Sequence, residues 1–305
     1  MGTTVILLLV FAYFLIAIAS LADKFLLTKA VPEPVVYTIL ISTFGLVAII
    51  LAPFGFTVPS YQELLIVALA GSTFTFALFF LYTSLRDGEA SRVLTFIGAL
   101  TAFLTYVFSF LFLGERLSAN QIFAFALLLV GGAIIILDKS RKKRIGRWII
   151  FGISSAFLFA VSYTAARYAY SSQGFITGFV WLRIFAFLTA VLFLLNPGNR
   201  RQLVRSLHVK SGIQKKSNQV ILVGAQLLNG IGFLILNYLI SLISAAIVLA
   251  SQGLQYVFVL VFTVILSRKL PHVLNEKYSP AILLQKLFAI ILIAGGLALL
   301  TYTKS

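Results

Sequence analysis

Few residues in this chain have the types and spacing to do chemistry, and they are amides, phenols and isolated cations. Gln226 and Asn229 stand three apart in one apolar run, as do Asn229 and Gly232, so a helix brings them to a shared face. The following run carries Ser251, Gln252 and Gln255, with Tyr256 adjacent. Amides inside apolar runs either join helices by hydrogen bonds across a bundle or face a polar ligand. Gln226, Asn229, Gln252 and Gln255 are candidates for the second role, with Asn237, near a helix end, behind them. Tyr82 and Tyr163, together with Tyr106, Tyr168 and Trp181, are further candidates, because an amphipathic ring can line a cavity or anchor at an interface.

Three cations complete the set. Lys24 and Arg167 stand at the ends of apolar runs, where a long basic side chain reaches headgroups at little cost. Arg183 lies about eight residues inside its run, roughly 12 Å deep at 1.5 Å per residue. A charge at that depth costs about 2.5 to 3.5 kcal/mol on insertion scales. Its helical neighbours Phe179, Val180, Ala186 and Phe187 offer no counter-charge. The partner is therefore a carbonyl, a distant acid, water or an anionic ligand, and a carboxylate-bearing ligand is the reading that gives the residue a purpose.

Other chemistries lack their parts. The acids, Asp23, Glu33, Glu63, Asp87, Glu89, Glu115, Asp138 and Glu276, all fall at the ends of apolar runs or between them. A mid-membrane carboxylate that exchanges a proton for a cation is therefore not expected. His208 and His272 lie between runs, without acidic neighbours at ligand spacing, and there is no cysteine. Neither a metal site nor a general base is expected, nor any cofactor. An enzyme would need a convergent acid, base or metal constellation, which the sequence does not offer.

The elements that must position these residues follow from hydropathy. The 305 residues would suffice for one large or two ordinary soluble domains. Yet 61% are hydrophobic and only 10% charged, with a mean hydropathy of +1.06, leaving too little polar surface to solvate a globule. Runs of about 20 apolar residues, the length that crosses a hydrocarbon core, are placed near 3–22, 35–53, 63–84, 90–113, 119–137, 147–169, 174–195, 218–240, 245–267 and 281–302. Pro32, Pro34, Pro53, Pro197 and Pro280 fall at the ends of runs, where a missing N–H does least harm. The N-terminus has no basic stretch before its apolar run, so a cleaved signal peptide is not expected. Small residues, among them Gly71, Gly98, Gly131, Gly132, Gly224, Gly230, Gly232, Gly295 and Gly296, mark faces where helices approach closely. The net charge of +16 sits between runs, which fits anionic headgroups better than nucleic acid.

The chain repeats itself. Ala90, Val93, Leu94, Gly98 and Phe103 recur at one constant offset as Ala245, Val248, Leu249, Gly253 and Phe258. Gln121, Gly131 and Gly132 recur as Gln285, Gly295 and Gly296 at a larger offset, which puts an insertion at Arg268–Pro280. Lys24 and Arg167 align at an offset of their own, 143 residues, within LIAIASLADKF and LFAVSYTAARY. The fourth run carries Phe96, Ile97 and Leu100 where the ninth has Ser251, Gln252 and Gln255, so polarity concentrates in the second half. The expected organisation is an all-α membrane protein of about ten transmembrane helices as two inverted five-helix repeats: residues 1–138, a basic linker 139–146, and 147–305. Five is odd, so the second copy enters the membrane from the opposite side, an architecture that lets a midplane site open to either face. Most basic residues between runs follow odd-numbered spans, which predicts cytoplasmic odd-numbered connectors and both termini outside.

The stretches SLRDGEASRV, LGERLS and LLLVGG resemble the drug/metabolite transporter superfamily, EamA type, over nearly the whole chain in two copies. The second connector, LSRKLPHVLNEKYSP, lacks the Gly-Glu pair, so any role of Glu115 is not duplicated. The resemblance implies an exporter or exchanger of small polar metabolites, with spans 1, 3, 4, 6, 8 and 9 around the cavity. It also implies both termini in the cytoplasm, against the loop charges. The expectation is a multi-pass plasma-membrane protein, monomer or homodimer, that moves a small polar or anionic organic substrate. A lipid or lipid-linked-sugar flippase is the alternative, distinguished by a lateral opening toward lipid.

Overall fold

The structure, a computed structural model, describes residues 2–29, 33–88, 90–136, 146–208, 215–267 and 280–302. The basic residues 139–145, most of the 268–280 insertion, Glu89, Asp138, His272 and Glu276 lie outside the described residues.

Every regular element described is helical, the solution open to a chain whose backbone must satisfy itself away from water. Four helices have 27 residues each: α1 (Thr3–Lys29), α3 (Tyr61–Asp87), α6 (Arg147–Gln173) and α9 (Lys216–Leu242). Helix α2 (Pro34–Gly45) continues as a 3-10 segment, Leu46–Phe54, and α7 (Phe175–Leu192) as Phe193–Leu195; each composite is 21 residues long. Between them come α4 (Ala90–Leu113) and α5 (Ala119–Ile136). The remainder are α8 (Pro197–His208), α10 (Ala245–Ala250), α11 (Gly253–Ser267) and α12 (Pro280–Tyr302). Among the described residues, seven helices are long and apolar enough to cross a membrane, and shorter apolar helices occupy 119–131, 245–259 and 287–299. This is an all-α membrane protein.

Three local features depart from expectation. Helix α1 does not stop at residue 22 but runs through Asp23 and Lys24 to Lys29. Both charges find partners inside the bundle, so neither has to end the helix. The ninth run is not one helix: α10 ends at Ala250 and α11 begins at Gly253, with i→i−3 bonds from Gln252 N to Leu249 O (3.0 Å) and from Leu254 N to Ser251 O (3.0 Å) across the break. Finally, the basic connector after α7 forms α8, in which Arg200, Arg201 and Arg205 belong to a helix.

Packing uses small residues and hydroxyls. Gly71 of α3 lies against the α7 backbone, where a Cβ would come within 2.5 Å of Leu182 O. Gly131 of α5 lies against Ala289 and Ile293, and Gly296 of α12 against Ala124 and Leu128, a reciprocal seam. Gly232 of α9 receives α1 at Ala12 and Ile16. These glycines behave as expected. A Cβ added at Gly224, Gly230 or Gly295 would meet nothing within 4 Å among the described residues, so these three are not contact points. Ser155 and Ser162 of α6 donate to Ala77 O (2.9 Å) and Ala70 O (2.8 Å) of α3, and Thr75 donates to Ala186 O (2.8 Å) of α7. A hydroxyl bonded to a backbone carbonyl resists separation where lipid supplies no alternative partner.

Candidate substrate cavity

A cavity of about 170 Å³ opens among the helices. It is slightly larger than the ~150 Å³ that accommodates benzene in an engineered core, so it has room for a small molecule. Residues of α1, α3, α4, α6, α9 and the α10–α11 break line it, the six spans that the resemblance implies, together with Ile41, Phe44 and Gly45 of α2 and the candidate Arg183 of α7.

Arg183 is 8% exposed. Its guanidinium carbon sits 4.0 Å from the centroid of the Phe233 ring, 5.1 Å from Phe74 and 5.2 Å from Phe179. The rings come from α9, α3 and α7; Phe179 is one helical turn before Arg183, and the other two are brought by the fold. Among the described residues no hydrogen bond or ion pair falls on the guanidinium. Ring faces stabilise the cation electrostatically but accept none of its five N–H bonds in the plane. That edge is left to the cavity.

Asp23, 7% exposed, lines the same cavity from α1. Its Oδ1 accepts from Tyr37 Oη at 2.5 Å and from Gln226 Nε2 at 3.4 Å. Asp23, expected at the end of an apolar run, therefore stands within α1 and is buried against the cavity. The signal was present: Phe25, Leu26 and Leu27 continue the apolar pattern beyond the charges, and a span cut at its first acid hides it.

The amides form a chain. Gln252 Nε2 donates to Gln255 Oε1 (3.1 Å), and Gln255 Nε2 to Ser20 Oγ of α1 (2.8 Å). Tyr256 is tied to Leu94 O (3.0 Å) and Tyr13 to Val248 O (2.6 Å), so the walls around the break are fixed to α4 and α1. Tyr82, Tyr163 and Asn229 line the cavity without a hydrogen-bonded partner among the described residues.

Seven of the nine candidates thus come together: Tyr82, Tyr163, Arg183, Gln226, Asn229, Gln252 and Gln255. Lys24 and Arg167 do not line the cavity. Lys24 Nζ donates to Leu85 O (2.7 Å) and Gly88 O (3.0 Å) at the end of α3. Arg167 Nε meets Glu115 Oε1 at 2.8 Å, and its Nη1 donates to Ile240 O (3.0 Å) and Ser241 O (2.7 Å) near the end of α9. Carbonyls at a helix C-terminus are unpaired and carry partial negative charge, so each cation is occupied as a cap. Of the secondary candidates, Asn237 accepts from Tyr170 (2.7 Å), Tyr106 packs on Phe125, Trp181 stacks on Phe56 and Tyr168 is exposed. Among the described residues no group of His, Cys, Asp or Glu is placed to hold a metal ion.

No family model matches the chain, and no curated protein matches it. A solved crystal structure, described only as that of a protein, matches with a TM-score of 0.67 over 99% of this chain and 97% of its own, at 18% identity. At that identity the likeness is one of fold.

Proposed function

We propose that this protein is a secondary transporter of the drug/metabolite type that carries a small polar or anionic organic metabolite across the plasma membrane by alternating access. The observation that carries the reading is Arg183. A buried guanidinium with aromatic faces and no protein acceptor among the described residues is costly to maintain, and a cavity that admits an anion or carboxylate offsets that cost.

The helices support the inverted repeat on which alternating access rests. The segments of the first half recur in order and length: 27 residues in α1 and α6, 21 in the α2 and α7 composites, 27 in α3 and α9. Helix α4 starts at Ala90 and α10 at Ala245, the aligned residues. Packing exchanges accordingly, α3 with α6 and α9 with α1, while α5 meets α12. Even the caps correspond: Lys24 holds Leu85 O, and Arg167 holds Ile240 O, its aligned counterpart. Counting α10 and α11 as one broken span and α8 as a surface helix gives ten.

The copies are not equally engaged. Helix α3 packs closely along α7, whereas its counterpart pair α9 and α2 barely touches. In a two-state carrier this is one of the two states, and exchange of the two interfaces gives the other.

The test is a metabolite screen on purified protein by melting temperature, since a ligand that binds only the folded state stabilises it, followed by flux into proteoliposomes. Organic carboxylates are expected to raise the melting temperature and to be carried, and Arg183→Gln is expected to abolish both while leaving a monodisperse protein. Wild-type flux in Arg183→Gln overturns the assignment of this residue.

A further inference from the structure

Arg183 and Asp23 have opposite charge and line one cavity, yet no ion pair joins them. In a protein interior two such charges attract strongly at contact, so a fold that keeps them apart leaves both short of a counter-ion. Each is half used by the scaffold. Three rings hold the faces of Arg183, leaving its N–H edge, and both hydrogen bonds on Asp23 fall on Oδ1, leaving Oδ2. Lys24, beside Asp23 in sequence, is no competitor, because its ammonium reaches the end of α3. Tyr82 lies within electrostatic reach of both charges and has its hydroxyl free of protein partners among the described residues.

We propose that the cavity takes a zwitterion, its carboxylate on the Arg183 edge and its ammonium on Asp23, with a short apolar chain between them. This rests on the transport reading above and names its substrate class. The spacing comes from α3, which touches both ends: Phe74 lies by Arg183, and Tyr82 meets the Tyr37 ring edge-on beside Asp23. Eight residues of helix separate the two levels, about 12 Å. The two charges therefore stand at different levels of the cavity, and a ligand that meets both through charge-assisted contacts carries its own charges on separate carbons of a short chain. An α-amino acid, with both charges on one carbon, is too short. The wall between the two levels is apolar, with Ile41, Phe44 and Leu78, and suits methylenes.

The experiment needs no variant to decide. Melting temperature and equilibrium binding are measured on the full-length wild type with 5-aminovalerate, γ-aminobutyrate, glycine, pentanoate and pentylamine. The expected result is that 5-aminovalerate or γ-aminobutyrate binds at least tenfold more tightly than glycine, pentanoate or pentylamine. Asp23→Asn then removes the preference for the zwitterion over pentanoate, and Arg183→Gln weakens both. Pentanoate binding as well as 5-aminovalerate overturns the zwitterion and leaves the carboxylate transporter standing. Glycine binding best overturns the separated charges. Failure of every carboxylate to bind, with Arg183→Gln carrying screened substrates like wild type, removes the site and the transport reading's use of it together.

Discussion

Arg167 and Arg183 are two largely buried cations of the same half, and the fold treats them in opposite ways. Arg167 has an acid, Glu115, and two carbonyls, so its guanidinium is matched by acceptors of the protein itself. Arg183 has three rings and no acceptor among the described residues. The first arginine is a joint that ties α6 to α9 and to the connector after α4. The second is an unfinished coordination shell. Burial alone does not separate structure from function; the inventory of acceptors does.

The largest effect should come from finishing or removing that shell. Arg183→Gln is expected to weaken carboxylate binding by at least about 30-fold, the loss of a charge-assisted contact worth roughly 2 kcal/mol or more, while leaving the ligand-free melting temperature unchanged or higher. A large fall in stability would instead make Arg183 a second joint. Arg167→Ala should do the reverse, lowering stability by about 2 kcal/mol because Glu115 and the α9 carbonyls lose their donor, with ligand affinity altered only through the fold. Chemical denaturation in detergent measures it.

Smaller effects sharpen the comparison through the seat of α7. Gly71→Ala puts a methyl against Leu182 O, Phe185 Cβ and Ala186 N, on the turn that carries Arg183. Overpacking of this kind costs roughly 1 to 3 kcal/mol, and both the melting temperature and carboxylate affinity should fall together. Phe233→Leu removes the nearest ring, a cation–π contact of about 1 kcal/mol. It should reduce affinity several-fold with little change in stability; no change at all would mean that Phe74 and Phe179 suffice.

Much of this was legible in the sequence, and what was not had a common cause. Run length and proline placement found the seven long apolar helices, and the i, i+3 and i, i+4 spacing placed Asn229 beside Gln226 and Phe179 beside Arg183. Asp23 escaped because a charge near the end of an apolar run looks like the end, unless the residues after it are weighed. The break at Ser251 and Gln252 escaped because neither is a helix breaker; only the contrast with Phe96 and Ile97 in α4 hinted that the copies differ there. The partners of Lys24 and Arg167, and the Phe74 and Phe233 faces on Arg183, are contacts between helices far apart in the chain. No local pattern encodes them.

The 3-10 segment at Leu46–Phe54 bears on the bilayer itself. A 3-10 turn advances about 2.0 Å per residue against 1.5 Å for an α-turn, so these nine residues cover about 4.5 Å more than the same sequence would as α-helix. None of them is buried, and Val47, Ile49, Ile50 and Phe54 point outward. The stretch thus extends the apolar girdle without adding residues. A span that changes its winding changes its reach, which ties the local pitch of one helix to the hydrocarbon thickness in which the protein is at ease.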